Sequence, residues 1–395
     1  MGDGMDLELS AEDTAFRDEL RAWLAEHLVG DFRSILGVGS PTDDRHWELR
    51  LAWERELVAG GWLSITWPEE YGGRGGTRTQ EAVFQVEHAR ARAPYWVGVN
   101  GRDLLGPMLL RNGTSEQKAR FLPRIARAEE FWGQGFSEPN AGSDLASLRT
   151  RAERDGDGWV VNGQKIWMTL GNFADWMYVV CRTGTDESRH RGITMLLLDA
   201  HQPGVDVRAI RNIAGGLEFC EVFFDDARTT DDLVVGEVNG GWAIAMDTLG
   251  AERVGAMLPY QATFEAEMRQ LLDEVHRRGG GDDPVLRQRL AKAWEGLRVL
   301  QYMNQRTLVA ELAGAEAGAV SSVVKIYWSH WHRSFGELML GVFGPDAMVV
   351  GDDGEPTWYQ RAFLNARAET IYGGADEIQH NIVGERVLGL PREPR

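Results

Sequence analysis

The chain has 395 residues, 43% of them hydrophobic. That is more than one core holds, since cores stop growing at roughly 250–300 residues and the chain then divides into two or three packed units. A formal net charge of −18 repels a phosphate backbone and excludes general nucleic-acid binding.

Cys181 and Cys220 stand in no CxxC or Cys/His spacing, so neither a disulfide framework nor a metal site is expected, and a reducing cytoplasm is the simple location. The opening MGDGMDLELSAEDTAF carries no basic n-region and no apolar segment, and no run approaches the roughly 18 apolar residues of a membrane span. Neither secretion nor membrane insertion is expected. Tryptophan is abundant, at 15 residues against 14 Phe and 8 Tyr.

From Ser10 the positions Phe16, Leu20, Trp23, Leu24 and Leu28 form the stripe of an amphipathic helix, with Ser10 and Asp13 as its cap. The run GWLSITWPEEYGGRGG holds Pro68 and four glycines and predicts a loop, with helix resuming at about Gln80. Thr114 to Gln117 predicts a second capped helix. From Phe131 to about Leu233 the texture changes to short β-branched or aromatic runs, predicting strands at 158–161, 176–182, 192–199, 205–209 and 218–224. Asn162-Gly163 reads as a hairpin turn. No long helix separates these strands, so an antiparallel barrel or sandwich is favoured over a parallel βαβ sheet. After Gly240-Gly241 the pattern is helical again, broken at 279–283, with a polar connection at 351–357 and a last helix from about Asp376 to Leu388. The expected architecture is α+β: an N-terminal α-helical domain over 1–128, a central antiparallel β-barrel domain over 129–236 and a C-terminal helical bundle over 237–395.

No GxGxxG follows a strand, and no phosphate loop, nucleophile elbow or HExxH is present. His330 and His332 lie two apart on a predicted helix and point to different sides. The segment QGFSEPNAGSDLASLRTRA at 134–152 reads by composition as a turn-rich linker, yet it shares the chain with KIWMT at 165–169, AER at 251–253 and IYGGADEIQ at 371–379. Together these resemble the acyl-CoA dehydrogenase family, flavoenzymes that introduce an α,β double bond into acyl thioesters. The first segment resembles the family's TEPxAGSD with Ser137 in place of Thr, KIWMT its K-x-W strand, YGGADEIQ its YEGTxEIQ, and ERVLGLP its usual ending. The resemblance runs from about Leu7 to Pro391.

The resemblance implies an acyl-CoA dehydrogenase-like fold with FAD between the β domain and the C-terminal helices. Gln134, Phe136 and Ser137 would border the isoalloxazine, Ser143 would reach the pyrophosphate, and Trp167 and Thr169 would face the ring near N5. A flavin needs an apolar wall and a few hydroxyl or backbone donors, which these residue types supply. The family also requires a carboxylate base, and the position that is Glu in YEGT is Gly373 here. Glu252, taken alone a solvated partner of Arg253, resembles the base that the isovaleryl and long-chain branches carry on a helix; its flanks Leu249, Ala251, Val254 and Met257 are apolar. Gly373 would keep the backbone N–H that polarises the thioester carbonyl while clearing volume beside the α-carbon. That implies a bulky or branched acyl group on CoA, such as a sterol side chain.

Ala375 stands where the family's Thr contacts FAD, and 340–348 matches the expected adenine-binding stretch poorly. The resemblance further implies a homotetramer or dimer that passes electrons to an electron-transfer flavoprotein, with a heteromeric partner as the alternative assembly. Two other functions stand beside it: flavin-dependent oxidation of a carrier-protein-bound or non-thioester substrate, and a non-catalytic partner subunit. Of the other tryptophans, Trp132 would support the flavin-edge segment, and Trp294, Trp328 and Trp331 would fill subunit contacts.

Overall fold

The computed structural model describes residues 9–255, 257–312, 319–351 and 354–392. The described residues pack as two compact units, one of Ala15–Asn212 with Gly216–Glu252, the other built on those within 253–392 together with Ile213–Gly215 and residues 9–14.

The first unit begins within α1 (Ala11–His27) and continues with α2 (Trp47–Ala59), α3 (Arg78–Arg90), α4 (Gly106–Asn112) and α5 (Ser115–Ala126). The α1 stripe buries Phe16, Leu20 and Leu24. Thr77 and Thr114 each close a capping box, the hydroxyl accepting from the backbone N–H of Gln80 or Gln117 while that glutamine's side chain accepts from the threonine's N–H.

Eight strands follow: β1 (Trp132–Gly135), β2 (Arg151–Asp155), β3 (Gly158–Thr169), β4 (Trp176–Arg182), β5 (Ile193–Asp199), β6 (Val205–Ile210), β7 (Phe219–Thr230) and β8 (Val234–Val235). They form one sheet in the order β6-β7-β3-β2-β4-β5-β8, with β1 on the side of β4. The pairing is antiparallel except for β1 with β4 and the single register pair joining β2 to β4, which are parallel. No pairing joins the end strands β6 and β8 among the described residues, so the sheet is not a hydrogen-bonded closed barrel.

Both faces of the central strands are buried. Met177, Val179 and Cys181 of β4 meet Leu196 and Leu198 of β5 and Cys220 and Val222 of β7 on one side. Tyr178, Val180, Met195 and Leu197 pack with Leu105, Met108, Phe121 and Leu122 of the helical segment on the other. Helix α6 (Gly241–Gly255) lays Ile244 and Ala245 on that second face.

Asn162-Gly163 is not a turn. β3 runs through it, and the hairpin lies earlier, where Asp155 of β2 faces Gly158 of β3. The pair instead marks a register shift against β7, with Gly163 at φ +144°. A Cβ at Gly163 would sit 2.7 Å from the Cα of Thr150, so close backbone approach selects the glycine. A twelve-residue β7 supplies partners on both sides of the shift, and this long-range pairing overrides the local turn preference.

The second unit contains α7 (Met257–Arg277), α8 (Pro284–Leu312), α9 (Val320–Phe343), α10 (Trp358–Asn365) and α11 (Asp376–Ile382), the last running into a wider turn over Val383–Val387. Its core joins Phe264, Met268, Leu297, Leu300, Trp328, Phe335 and Met339. Trp328 thus belongs to the interior of this unit and not to a subunit contact, and Trp331 packs against the same core. No described helix is long and apolar enough to cross a membrane.

Candidate active site

Strand β1 and the segment after it lie along β4, with Gln134 in register with Tyr178. Gln134 Nε2 is buried and has no hydrogen-bond partner among the described residues. Phe136 is buried, and its ring meets that of Tyr178 edge to face at 5.9 Å. The Ser137 carbonyl accepts from the Ile166 N–H at 2.9 Å, tying this segment to β3.

A buried ion pair fixes the same junction. Lys165 Nζ, fully buried, donates to the Phe136 carbonyl at 3.0 Å and to Glu138 Oε1 at 2.8 Å. Glu138 also accepts from the backbone N–H groups of Arg149 and Thr150. Burial alone would push Glu138 upward, but Lys165 and these donors outweigh it and hold the carboxyl below its usual range. Glu138 and Ala141 exchange backbone hydrogen bonds around a tight turn, after which Gly142 and Ser143 are exposed.

Trp167 and Thr169 do not present one face by simple alternation. The register of β3 against β7 shifts between Lys165 and Met168, and Trp167 sits in the shift at φ +62°. Lys165 and Met168 therefore both point inward, while the Trp167 ring is turned out and is 57% exposed. Met168 fills space that only glycine leaves: a Cβ at Gly133 or Gly171 would come within 2.5 or 2.9 Å of its Sδ. The Thr169 carbonyl accepts from Asn100 Nδ2 at 2.7 Å.

Glu252 is not on the solvent side of its helix. Ile244, Ala245 and Thr248 of α6 are buried, and Leu249 packs against the same core. Glu252 follows them at helical spacing on that face. It is half-buried, with Oε2 shielded from solvent. Its charge reaches Tyr178, whose phenol is pushed well above its ordinary value first by burial and then by Glu252. Tyr178 is a buried polar group that the sequence reading missed; the available signal was a lone hydroxyl in the otherwise apolar stretch of β4 ahead of Cys181 and Arg182.

Gly373 belongs to the second unit. Gly373 and Gly374 are both left-handed, at φ +64° and +94°, and Gln379 Nε2 donates to the Gly373 carbonyl at 2.9 Å. A Cβ at Gly373 would meet nothing within 4 Å. The preceding residues are anchored by Tyr372 Oη, 3.1 Å from Tyr260 Oη, and by Glu369, which contacts His332 Nδ1 at 2.7 Å. His332 Nε2 contacts Glu267 at 2.8 Å. Burial pulls the imidazole down, but the two carboxylates together push it up to about 10, so it is a cation at neutral pH. Among the described residues no group of His, Cys, Asp and Glu side chains is arranged to hold a metal ion.

The chain belongs to the acyl-CoA dehydrogenase family: models of its N-terminal, middle and C-terminal domains match residues 10–129, 133–227 and 239–388. It is 46% identical over 381 residues to acyl-CoA dehydrogenase IpdE1 of Mycobacterium tuberculosis, covering 96% of this chain and 98% of that protein. The solved Tcur3481-Tcur3483 steroid ACAD aligns with TM-score 0.86 at 28% identity, covering 98% of this chain and 100% of that one. The ChsE4-ChsE5 complex from Mycobacterium tuberculosis aligns with TM-score 0.80 at 30% identity, covering 98% and 100%.

Members of the family are flavoproteins. The residues of the first unit fit an isoalloxazine: Gln134 offers a buried donor without a partner among the described residues, and Trp167 offers an outward ring set in a bulge.

Proposed function

We propose that this chain catalyses FAD-dependent α,β-dehydrogenation of an acyl-CoA thioester, with Glu252 as the base. The observation that carries this reading is the place of Glu252, half-buried, at the end of the buried face of α6. Bound FAD would supply a hydride acceptor for the β-hydrogen. Gln134, Phe136, Ser137 and Ser143 would hold its isoalloxazine edge and pyrophosphate, with Trp167 and Thr169 beside the ring. Glu252 takes the α-proton onto a carboxylate oxygen, and shielding from water favours the transfer by raising the basicity of the anion. The Gly373 N–H polarises the thioester carbonyl and stabilises the enolate-like charge that develops as the proton leaves.

The open space at Gly373 supports a bulky acyl group. The name of one structural neighbour, a steroid ACAD, points the same way, and a sterol-derived acyl-CoA is the proposed substrate class. Electrons would pass to an electron-transfer flavoprotein.

Glu252→Gln tests the reading. Anaerobic mixing with a bulky acyl-CoA should bleach the wild-type flavin, and the variant should retain flavin yet bleach at least about a hundredfold more slowly, the scale of a lost general base. Bleaching at the wild-type rate would sink the assignment.

A second reading concerns assembly. Both structural neighbours carry two-chain names, and the adenine-binding stretch is poorly matched at 340–348. A partner chain completing that half of the site is the alternative to a homo-oligomer. Light scattering and flavin content of the chain purified alone separate the two: a yellow homo-oligomer at full occupancy excludes the heteromer.

A further inference from the structure

Next to the proposed base stands a group that the reaction, so described, does not use. Tyr178 has no solvent exposure, and its Oη has no hydrogen-bond partner among the described residues. A hydroxyl left in that state is costly, and phenylalanine would fill the same space without the cost. The contact with Phe136, edge to face at 5.9 Å, is one that either ring makes equally well. Packing therefore does not explain the oxygen.

What lies near it does. Tyr178 projects from β4 onto the same face as its register partner Gln134, and α6 covers this face through Ile244, Ala245 and Leu249. The next residue of that helical stripe is Glu252, and it is the charged side chain that acts on the phenol. Its carboxylate, on a flexible stem with Oε2 shielded from solvent, is of the chemistry to accept from a phenol on this face.

We propose that Tyr178 is a positioning residue for the base, its O–H donating to one oxygen of the Glu252 carboxylate when the acyl thioester is bound, so that the other oxygen faces the α-carbon. This rests on the reading of Glu252 as base. The proton balance is simple: the C–H bond at the α-carbon breaks, an O–H bond forms on the Glu252 oxygen that faces it, and the phenol keeps its own proton throughout. The hydrogen bond belongs to the ligand-bound complex, where catalytic hydrogen bonds commonly tighten.

The test is Tyr178→Phe in the full-length, flavin-loaded protein. A donor to a carboxylate favours its ionised form, so its loss should move the acid limb of the single-turnover rate upward by about one pH unit. The plateau rate should fall about tenfold through lost orientation, with KM changed less than about twofold. Infrared difference titration gives a readout free of turnover. The carboxyl band that Glu252→Gln abolishes should titrate at higher pH in Tyr178→Phe than in wild type.

An unmoved acid limb together with an unmoved infrared titration would overturn the proposal. So would a raised KM with an unchanged pH profile, because the hydroxyl would then contact the acyl group. Glu252→Gln run in parallel keeps the two ideas apart: a wild-type rate there removes the base assignment itself, whatever Tyr178→Phe does.

Discussion

Trp167 and Gly373 share a backbone state and differ in what holds it. Their φ values are +62° and +64°. For glycine this costs nothing, whereas for a tryptophan it costs about 1–2 kcal/mol. The Trp167 bulge persists because its flanks over-determine it: Lys165 is locked to Glu138 and the Phe136 carbonyl on one side, and Met168 is seated against Gly133 and Gly171 on the other. The Gly373 loop needs no such force locally. Its anchors, His332 with Glu369 and Tyr260 with Tyr372, fix where the loop lies, while the residue type supplies how it bends. A backbone conformation can thus be written in the residue itself or imposed by its neighbours, and only the first kind is visible in a sequence.

The sharpest break of this comparison is at the two buried ion clusters. Lys165→Met strands the Glu138 carboxylate, and His332→Ala leaves Glu267 and Glu369 facing each other; each should lower unfolding stability by about 3–5 kcal/mol in denaturant titration. Adding Glu138→Gln to Lys165→Met should recover a large part, and no recovery would show that the lysine acts other than through its charge. Of the two, only Lys165→Met should also disturb the Trp167 bulge, read as a change in Trp167 accessibility to a quencher.

A pH series separates the clusters further. The fold raises His332 from its ordinary 6.5 to about 10, so it favours the protonated imidazole. This stabilisation is whole below about 6.5, declines as pH rises and is lost above about 10. The melting temperature of the wild type should fall over that window by more than that of His332→Gln, and equal slopes would refute a cationic His332.

The smallest effects lie at the two left-handed residues themselves. Gly373→Ala should cost about 1–2 kcal/mol through backbone strain. Trp167→Gly should leave stability within about 0.5 kcal/mol of wild type, because relief of strain and the entropy of glycine oppose each other. Flavin affinity, measured by reconstitution, should fall. A large stability loss in Trp167→Gly would mean that the ring, and not its flanks, holds the bulge.

Much of the fold was legible because it is local. The Phe16, Leu20 and Leu24 stripe, the threonine cap at Thr114, and the β texture between Phe131 and Leu233 all report near neighbours in the chain. The Asn162-Gly163 reading failed because a local turn preference lost to pairing with β7 over both sides of the shift. The candidate site was legible as a set of motifs, in the FSEPNAGSD segment, KIWMT and YGGADEIQ, but not in its internal geometry. KIWMT read by alternation puts Lys165, Trp167 and Thr169 on one face, and the bulge sends Lys165 inward and Trp167 out.

By itself the sequence determined the α+β class, the helix starts and the glycine at 373, since periodicity, caps and the absence of a Cβ act within a few residues. Tertiary structure alone decided that Trp167 faces outward and that the buried residues of α6 share one core with Tyr178. Those facts depend on strand register and on how a helix seats upon a sheet, and both are settled by contacts between residues far apart in the chain.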